Sequence, residues 1–359
     1  MAPLSPSSAS RQLNLRTLSL ALLPVMAIAS GLGLAIRQQG AQAQQKPVEI
    51  GVYSGRHYNS DKELYRQFTA RTGIRVKLLE GKDDALIERL RNEGKGSPAD
   101  VLVLVDAARL DRATDMGLFQ PIRSTTLLRD VPLKLRDSRN RWFGLTRRAR
   151  VVVVNPKLVN PASIRTYADL AKPGLKGKLC LRDSKSVYNQ SLVAAQLILR
   201  GEAATRSWVR GMVANAKQPF FTSDTPLARA VGRGECGVGL VNTYYVARML
   251  SGEAGGADQA AARNLKVVFP RPTHVNISGA GVTASSRNVA AATRLIEFLA
   301  SPTGGKGYAE ANNEYPLKGY GGNRTLNRWG PFQAEGVSAE QMGSRNKTAV
   351  QLMQTNGWK

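Results

Sequence analysis

Histidine and cysteine are scarce: the 359 residues contain two of each, and no H-x-x-x-H or C-x-x-C spacing joins them. That excludes the usual structural zinc patterns. Acidic residues are also few, 26 against 51 lysines and arginines, and no loop gathers carboxylates as an EF-hand calcium site requires. Only four tryptophans occur, Trp142, Trp208, Trp329 and Trp358. None lies in the strand-end loops singled out below, which counts against a sugar-stacking cleft. The formal charge is +25, but the basic residues are scattered and not interleaved with aromatics. Nucleic acid is therefore not expected as a partner, and a basic surface facing an anionic membrane or an acidic partner is. Long apolar runs are missing after the first forty residues, which predicts a soluble mature protein.

Residues 1–43 differ from the rest. Arg11 and Arg16 precede the apolar run "LSLALLPVMAIASGLGLAI", and "AQA" ends at Ala43 before the first acidic residue, Glu49. This is the pattern of a secretory signal with a small-residue cleavage site, with an uncleaved anchor as the alternative. No twin-arginine pair is present, so the general secretory route is expected. Removal of the signal leaves a charge of +22. Export would place Cys180 and Cys236 in an oxidising compartment. They either pair and pin two strands, or remain as buried thiols.

Beyond the signal, short apolar strands alternate with amphipathic helices, as in an α/β protein with largely parallel sheets. "VEIGVYSG", "IRVKLLEG" and "ADVLVLVD" read as strands. "DKELYRQFTARTG" and "DDALIERLRNEG" read as helices closed by Gly73 and Gly94. "RWFGLTRRARVVVVNP" is long enough to leave one lobe and enter another. A second α/β set follows, with strands in "LKGKLCLRDS" and "ECGVGLVN", helices from about Asn189, in "ATRSWVRGMVAN" and in "TYYVARMLSG", and a surface loop in "SGEAGGADQAAARN". "LKVVFPRPTHVNISGAGVTASS" suggests a second crossing. Two crossings make a hinged clamp, with residues 44–147 and 271–325 in one lobe and residues 148–270 and 326–359 in the other.

Ligands of open α/β sheets bind beyond the carboxyl ends of strands. Three segments leaving such ends carry tyrosine: "VYSGRHYNSD" with His57 and Tyr58, "LRDSKSVYNQS" with Tyr188, and "GLVNTYYVA" with Tyr244 and Tyr245. A phenol ionises near pH ~10, so a cleft of four stays neutral unless a strong acid displaces the protons. Ferric iron is such an acid and prefers oxygen ligands. Adjacent tyrosines diverge by ~100° on a regular helix, so Tyr244 and Tyr245 converge only at a helix start, with Asn242 or Thr243 as its N-cap. Each tyrosine alone is also explained as a half-buried aromatic, His57 as a local hydrogen-bonding group, and His274 as a structural residue of the crossing.

Taken together, "SGRHYNSD", "SVYNQSLVA", "NTYYVARML", "THVNISGAG" and "NNEYPLK" resemble the cyanobacterial ferric-iron-binding proteins of ABC transporters, within the transferrin-like periplasmic group. The resemblance implies a type II periplasmic binding fold whose interlobe cleft holds Fe3+. It implies Tyr58, Tyr188, Tyr244 and Tyr245 as ligands, His57 at or near the metal, and Arg148 as a cleft arginine approaching a tyrosinate. It further implies a periplasmic monomer that serves an ABC permease and catalyses nothing. Arg148, between Arg147 and Arg150, also reads as a solvated member of a basic cluster. A sugar or polyamine receptor on the same fold is the competing function.

Overall fold

The computed structural model describes residues 48–56, 58–321 and 323–359; the signal segment and His57 lie outside the described residues. The chain opens with β1 (Glu49–Ser54), α1 (Asn59–Thr72), β2 (Arg75–Glu80), α2 (Asp83–Glu93), β3 (Val101–Val105), α3 (Ala107–Asp115) and α4 (Thr125–Asp130). Strand β4 (Phe143–Val154) then leads to β5 (Leu179–Cys180), α5 (Val187–Arg200), α6 (Glu202–Asn215), α7 (Asp224–Arg233), β6 (Val238–Asn242), α8 (Thr243–Ser251) and α9 (Gly256–Arg263). The chain returns through β7 (Lys266–Val268) and β8 (His274–Val282). It ends with α10 (Val289–Ala300), α11 (Gly304–Glu310), α12 (Arg324–Trp329), α13 (Ala339–Ser344) and α14 (Asn346–Thr355).

One sheet runs β2-β1-β3-β8-β4-β6-β5, with β7 beside β4. Strand β4 is shared between the two lobes. Its first part pairs with β8 from Phe143 to Arg150, and its last part with β6 from Arg150 to Val154. The expectation of largely parallel sheets is corrected. β1–β2, β1–β3 and β5–β6 are parallel, whereas every pairing made by β4 or β8 is antiparallel. The crossing strands run outward and back, which forces that mixture.

Both lobes bury both faces of the sheet, and the alternation of side chains shows how. Val101 and Val103 enter one apolar cluster with Phe68 and Leu295, while Leu102 and Leu104 enter another with Leu110 and Trp142. In the second lobe, Val151 and Val153 face Leu227 and Val231, and Val152 and Val154 face Trp208 and Met212. The continuous apolar runs "VLVLV" and "VVVV" follow from this two-sided burial.

Three local readings change. Tyr188 lies in the first turn of α5, which starts two residues before Asn189, and not in a loop. The strand expected in "LKGKLCLRDS" shrinks to Leu179–Cys180. The supposed surface loop contains helix α9, because Ala261 and Ala262 pack into the cluster of Val231 and Val246 while Asp258 pairs with Arg229. Cys180 and Cys236 form a disulfide with their Cα atoms 5.9 Å apart, tying the short edge strand to the turn just before its neighbour β6. A further segment returns beside the crossing strands: Thr273 bridges Ala334, and its amide donates to the Gln333 carbonyl at 2.7 Å. Beyond it, α13 rests on α3 and α14 on α5.

Candidate metal centre

Each of the four tyrosines stands at the start of a helix. Tyr58 occupies the N-cap position of α1 in an extended conformation, φ −100 and ψ 134. Tyr188 is the second residue of α5, and Tyr244 and Tyr245 are the second and third residues of α8. As the sequence predicts, α8 begins where β6 ends, with Asn242 as its N-cap. Asn242 makes no side-chain cap; its side-chain oxygen accepts instead from Arg150 at 3.2 Å. At this first turn the two adjacent phenol rings lie against each other, with centroids 4.2 Å apart.

The Tyr244 hydroxyl donates to the Tyr188 hydroxyl at 3.2 Å. Tyr244 is 1% exposed, whereas Tyr58, Tyr188 and Tyr245 are half-buried. Burial, and then the charges that Tyr188, Tyr245 and Tyr58 would carry, push the Tyr244 phenol well above its ordinary range. Burial, followed by Tyr188 and Asp224, does the same to Tyr245. Tyr58 is raised by burial and then by Glu314. All four phenols therefore belong to one electrostatic cluster. Without a cation Tyr58, Tyr244 and Tyr245 keep their protons.

Guanidinium groups surround the cluster. Arg148 is buried, with its Cζ 6.0 Å from the Tyr188 ring centre and 5.9 Å from that of Tyr244, and it donates to Ser278 Oγ. The reading of Arg148 as a solvated residue is thereby corrected. Burial opposes its charge, but Glu314, Tyr188 and Tyr244 prevail and hold it above the usual arginine range. Arg147, next along the strand, faces away and donates to the Pro316 carbonyl at 2.7 Å. Arg248 lies 5.1 Å from the Tyr58 ring centre and 5.9 Å from that of Tyr244, and Arg182 lies 5.4 Å from that of Tyr188.

Two buried ion networks support these groups. In the first lobe Arg56 donates to Asp61 at 2.8 Å and to Ser278 and Glu314 at 2.8 Å each. Burial opposes ionisation of Glu314, but Arg56 and Arg148 outweigh it and keep the carboxyl below the usual glutamate range. In the second lobe Asp224, the first residue of α7, receives Arg150 at 2.6 Å, Arg182 at 3.3 Å and the backbone amide of Asn242 at 2.8 Å. Arg150 also reaches Asn189 Oδ1 of α5 at 2.7 Å. The starts of α5, α7 and α8 are thus fastened to one carboxylate. His274 is buried on the crossing strand and faces Glu335, with its Nδ1 2.5 Å from Oε1.

Sequence reading passed over Arg56, Arg182, Arg248, Asp224 and Glu314. Arg248 carried a signal, since a residue four positions after Tyr244 shares its helix face. Asp224 carried none, because its partners come from β4, the segment after β5 and the end of β6.

Comparison with known proteins adds to this geometry. Residues 96–335 match the family model described as bacterial extracellular solute-binding protein. The chain belongs to that solute-binding family. Iron uptake protein A1 of Synechocystis is 44% identical over 87% of this chain and 88% of its own length. The Fe(3+)-binding periplasmic protein of Serratia marcescens is 32% identical over 93% of this chain and 97% of its own length. A solved Trichodesmium structure, IdiA or FutA in complex with iron and citrate ligands, superposes with a TM-score of 0.83 at 42% identity, covering 87% of this chain and all of that one. The architecture is the type II periplasmic binding fold, two α/β lobes joined by crossing strands, and the family is one of binding and transport, not catalysis. Among the described residues no helix is long and apolar enough to cross a membrane.

Proposed function

We propose that this chain captures ferric iron in the periplasm as cargo, through the tyrosinates of Tyr58, Tyr188, Tyr244 and Tyr245, and delivers it to the permease of an ABC importer. The observation that carries the reading is the cluster itself: four phenols at four helix positions, electrostatically coupled, with two hydroxyls 3.2 Å apart. A trivalent, oxygen-seeking cation supplies what the cluster lacks, a charge strong enough to displace its protons. Four phenolates around Fe3+ leave one surplus negative charge, and Arg148 and Arg248 stand where they offset it. His57 or a water is assigned any remaining coordination position. Opening of the lobes, protonation or reduction of the metal releases it.

A polyamine receptor needs free carboxylates. Of the acids in the tyrosine-bearing segments, Asp61 and Asp183, Asp61 is occupied by Arg56, and the buried Asp224 and Glu314 are likewise held by arginine, which leaves Asp183 as a single carboxylate against a polycation. The cluster also leaves a bound metal little open coordination for a reacting substrate, which separates a carrier from an enzyme. The test is a titration with ferric iron followed by visible absorption. The loaded protein is expected to be red to purple through phenolate-to-iron charge transfer, and Tyr244→Phe with Tyr245→Phe abolishes the band. A colourless protein that binds an organic solute tightly instead overturns the proposal.

A further inference from the structure

Asp106 stands outside the phenol cluster, yet it is one of the most constrained residues of the fold. It is fully buried and adopts φ 94, ψ 138. Asn140 and Asn313 also have positive φ, at 59° and 57°, values typical of the left-handed region that asparagine tolerates. Asp106 lies outside that well, so its surroundings must hold it there. Three donors do so through the carboxylate: Ser191 Oγ at 2.6 Å and the Ala108 amide at 2.9 Å on Oδ1, and Asn276 Nδ2 at 2.8 Å on Oδ2. The Asp106 amide donates to the Ile277 carbonyl at 2.9 Å, and the Ala107 amide to Asn276 Oδ1 at 3.0 Å.

These partners belong to three separate parts of the molecule. Ala108 is in α3 of the first lobe, Asn276 is on crossing strand β8, and Ser191 is in α5, the helix whose first turn carries Tyr188. Ser191 follows Tyr188 by three residues, so the two share a helix face. The apolar packing of α5 against the first lobe, through Ala195 and Ile198, is non-directional and leaves its register loosely set. A buried carboxylate that accepts from two elements at once sets register sharply, because a slip leaves donors and acceptor unpaired in a low dielectric.

We propose that Asp106 is a positioning residue for Tyr188: by holding Ser191 of α5 and Asn276 of β8 on one carboxylate, it fixes the first turn of α5 and so the point at which the Tyr188 hydroxyl meets the metal. The inference rests on the tyrosinate reading above. Groups that orient a metal ligand from behind typically change affinity by roughly 10- to 100-fold when removed.

The experiment measures iron loss to excess chelator and the position of the charge-transfer band in Asp106→Asn, Ser191→Ala and Tyr188→Phe, each in the full exported chain. Asparagine keeps the size and the cap, but sets an NH2 group against the Asn276 donor. Asp106→Asn is expected to lose iron about 10- to 100-fold faster with a displaced band, Ser191→Ala less so in the same direction, and the effect of Asp106→Asn is expected to vanish on a Tyr188→Phe background. A lower melting temperature of the empty variants, with wild-type band and wild-type release, overturns the proposal. If Asp106→Asn does not fold, Ser191→Ala decides alone, since it leaves the Asp106 backbone and cap in place, and wild-type release then overturns it. A wild-type protein without the band, by contrast, overturns the tyrosinate reading itself.

Discussion

Tyr58 reaches the cluster alone, from the first lobe, whereas Tyr188, Tyr244 and Tyr245 arrive together from the second. The ion networks beneath them differ in the same sense. Under Tyr58, one arginine, Arg56, meets two carboxylates, Asp61 and Glu314. Under the other three, one carboxylate, Asp224, meets two arginines, Arg150 and Arg182. With Arg148 beside Glu314 the first network is balanced, whereas net positive charge is held where three phenolates would gather. On the reading proposed above, the second lobe is thus prepared for anions before any metal arrives.

Removing one carboxylate from each network tests the difference between the lobes most directly. Asp224→Ala strands the buried Arg150, frees the half-buried Arg182 and releases the starts of three helices, and is expected to cost about 3–5 kcal/mol. Asp61→Asn leaves Arg56 its bond to Glu314 and is expected to cost only about 1–3 kcal/mol. Urea unfolding of the empty protein measures both, and equal losses would dissolve the asymmetry. Next in size is the disulfide, which closes a segment of sequence separation 56 wholly within the second lobe. Cys180→Ser with Cys236→Ser is expected to lose about 2–4 kcal/mol. Hydrogen exchange locates the loss, which should appear around β5 and α5 and spare β1 to β3.

The smallest expected effect is on protons. Burial raises Tyr58, Tyr244 and Tyr245 in the empty protein, so iron must displace protons that those phenols hold at neutral pH. Affinity therefore falls as pH falls, and protons appear in solution on binding. In weakly buffered titrations, Tyr58→Phe is expected to release about one proton fewer per iron, and Tyr244→Phe with Tyr245→Phe about two fewer if iron still enters. Equal release from all variants would show that the phenols stay protonated.

Much of the first lobe was legible in the sequence, because strand alternation, helix periodicity and the left-handed cap at Gly73 are local. The convergence of the adjacent tyrosines at a helix start was legible for the same reason. Helix α9 was missed because glycine and alanine dominate it, and what makes it a helix is tertiary burial of Ala261 and Ala262. The short β5 was overcalled because burial of "LCL" looks like a strand even where only two residues pair. The ion networks were invisible: Glu314 and Arg56 are 258 positions apart, and no local spacing announces such a pair.

The crossing strands β4 and β8 lie side by side in one sheet, and the segment through Ala334 runs beside them, bridged to Thr273. A ribbon built this way behaves like a leaf spring: it bends across its flat face and resists shearing in its plane, because a slip would break the register of its ladder. Any travel between the lobes would then be confined to nearly a single direction. On the tyrosinate reading proposed above, Tyr58 would return along the same track at each closure, and the fourth phenol would be aligned with the other three by the ribbon before any bond to the cargo forms.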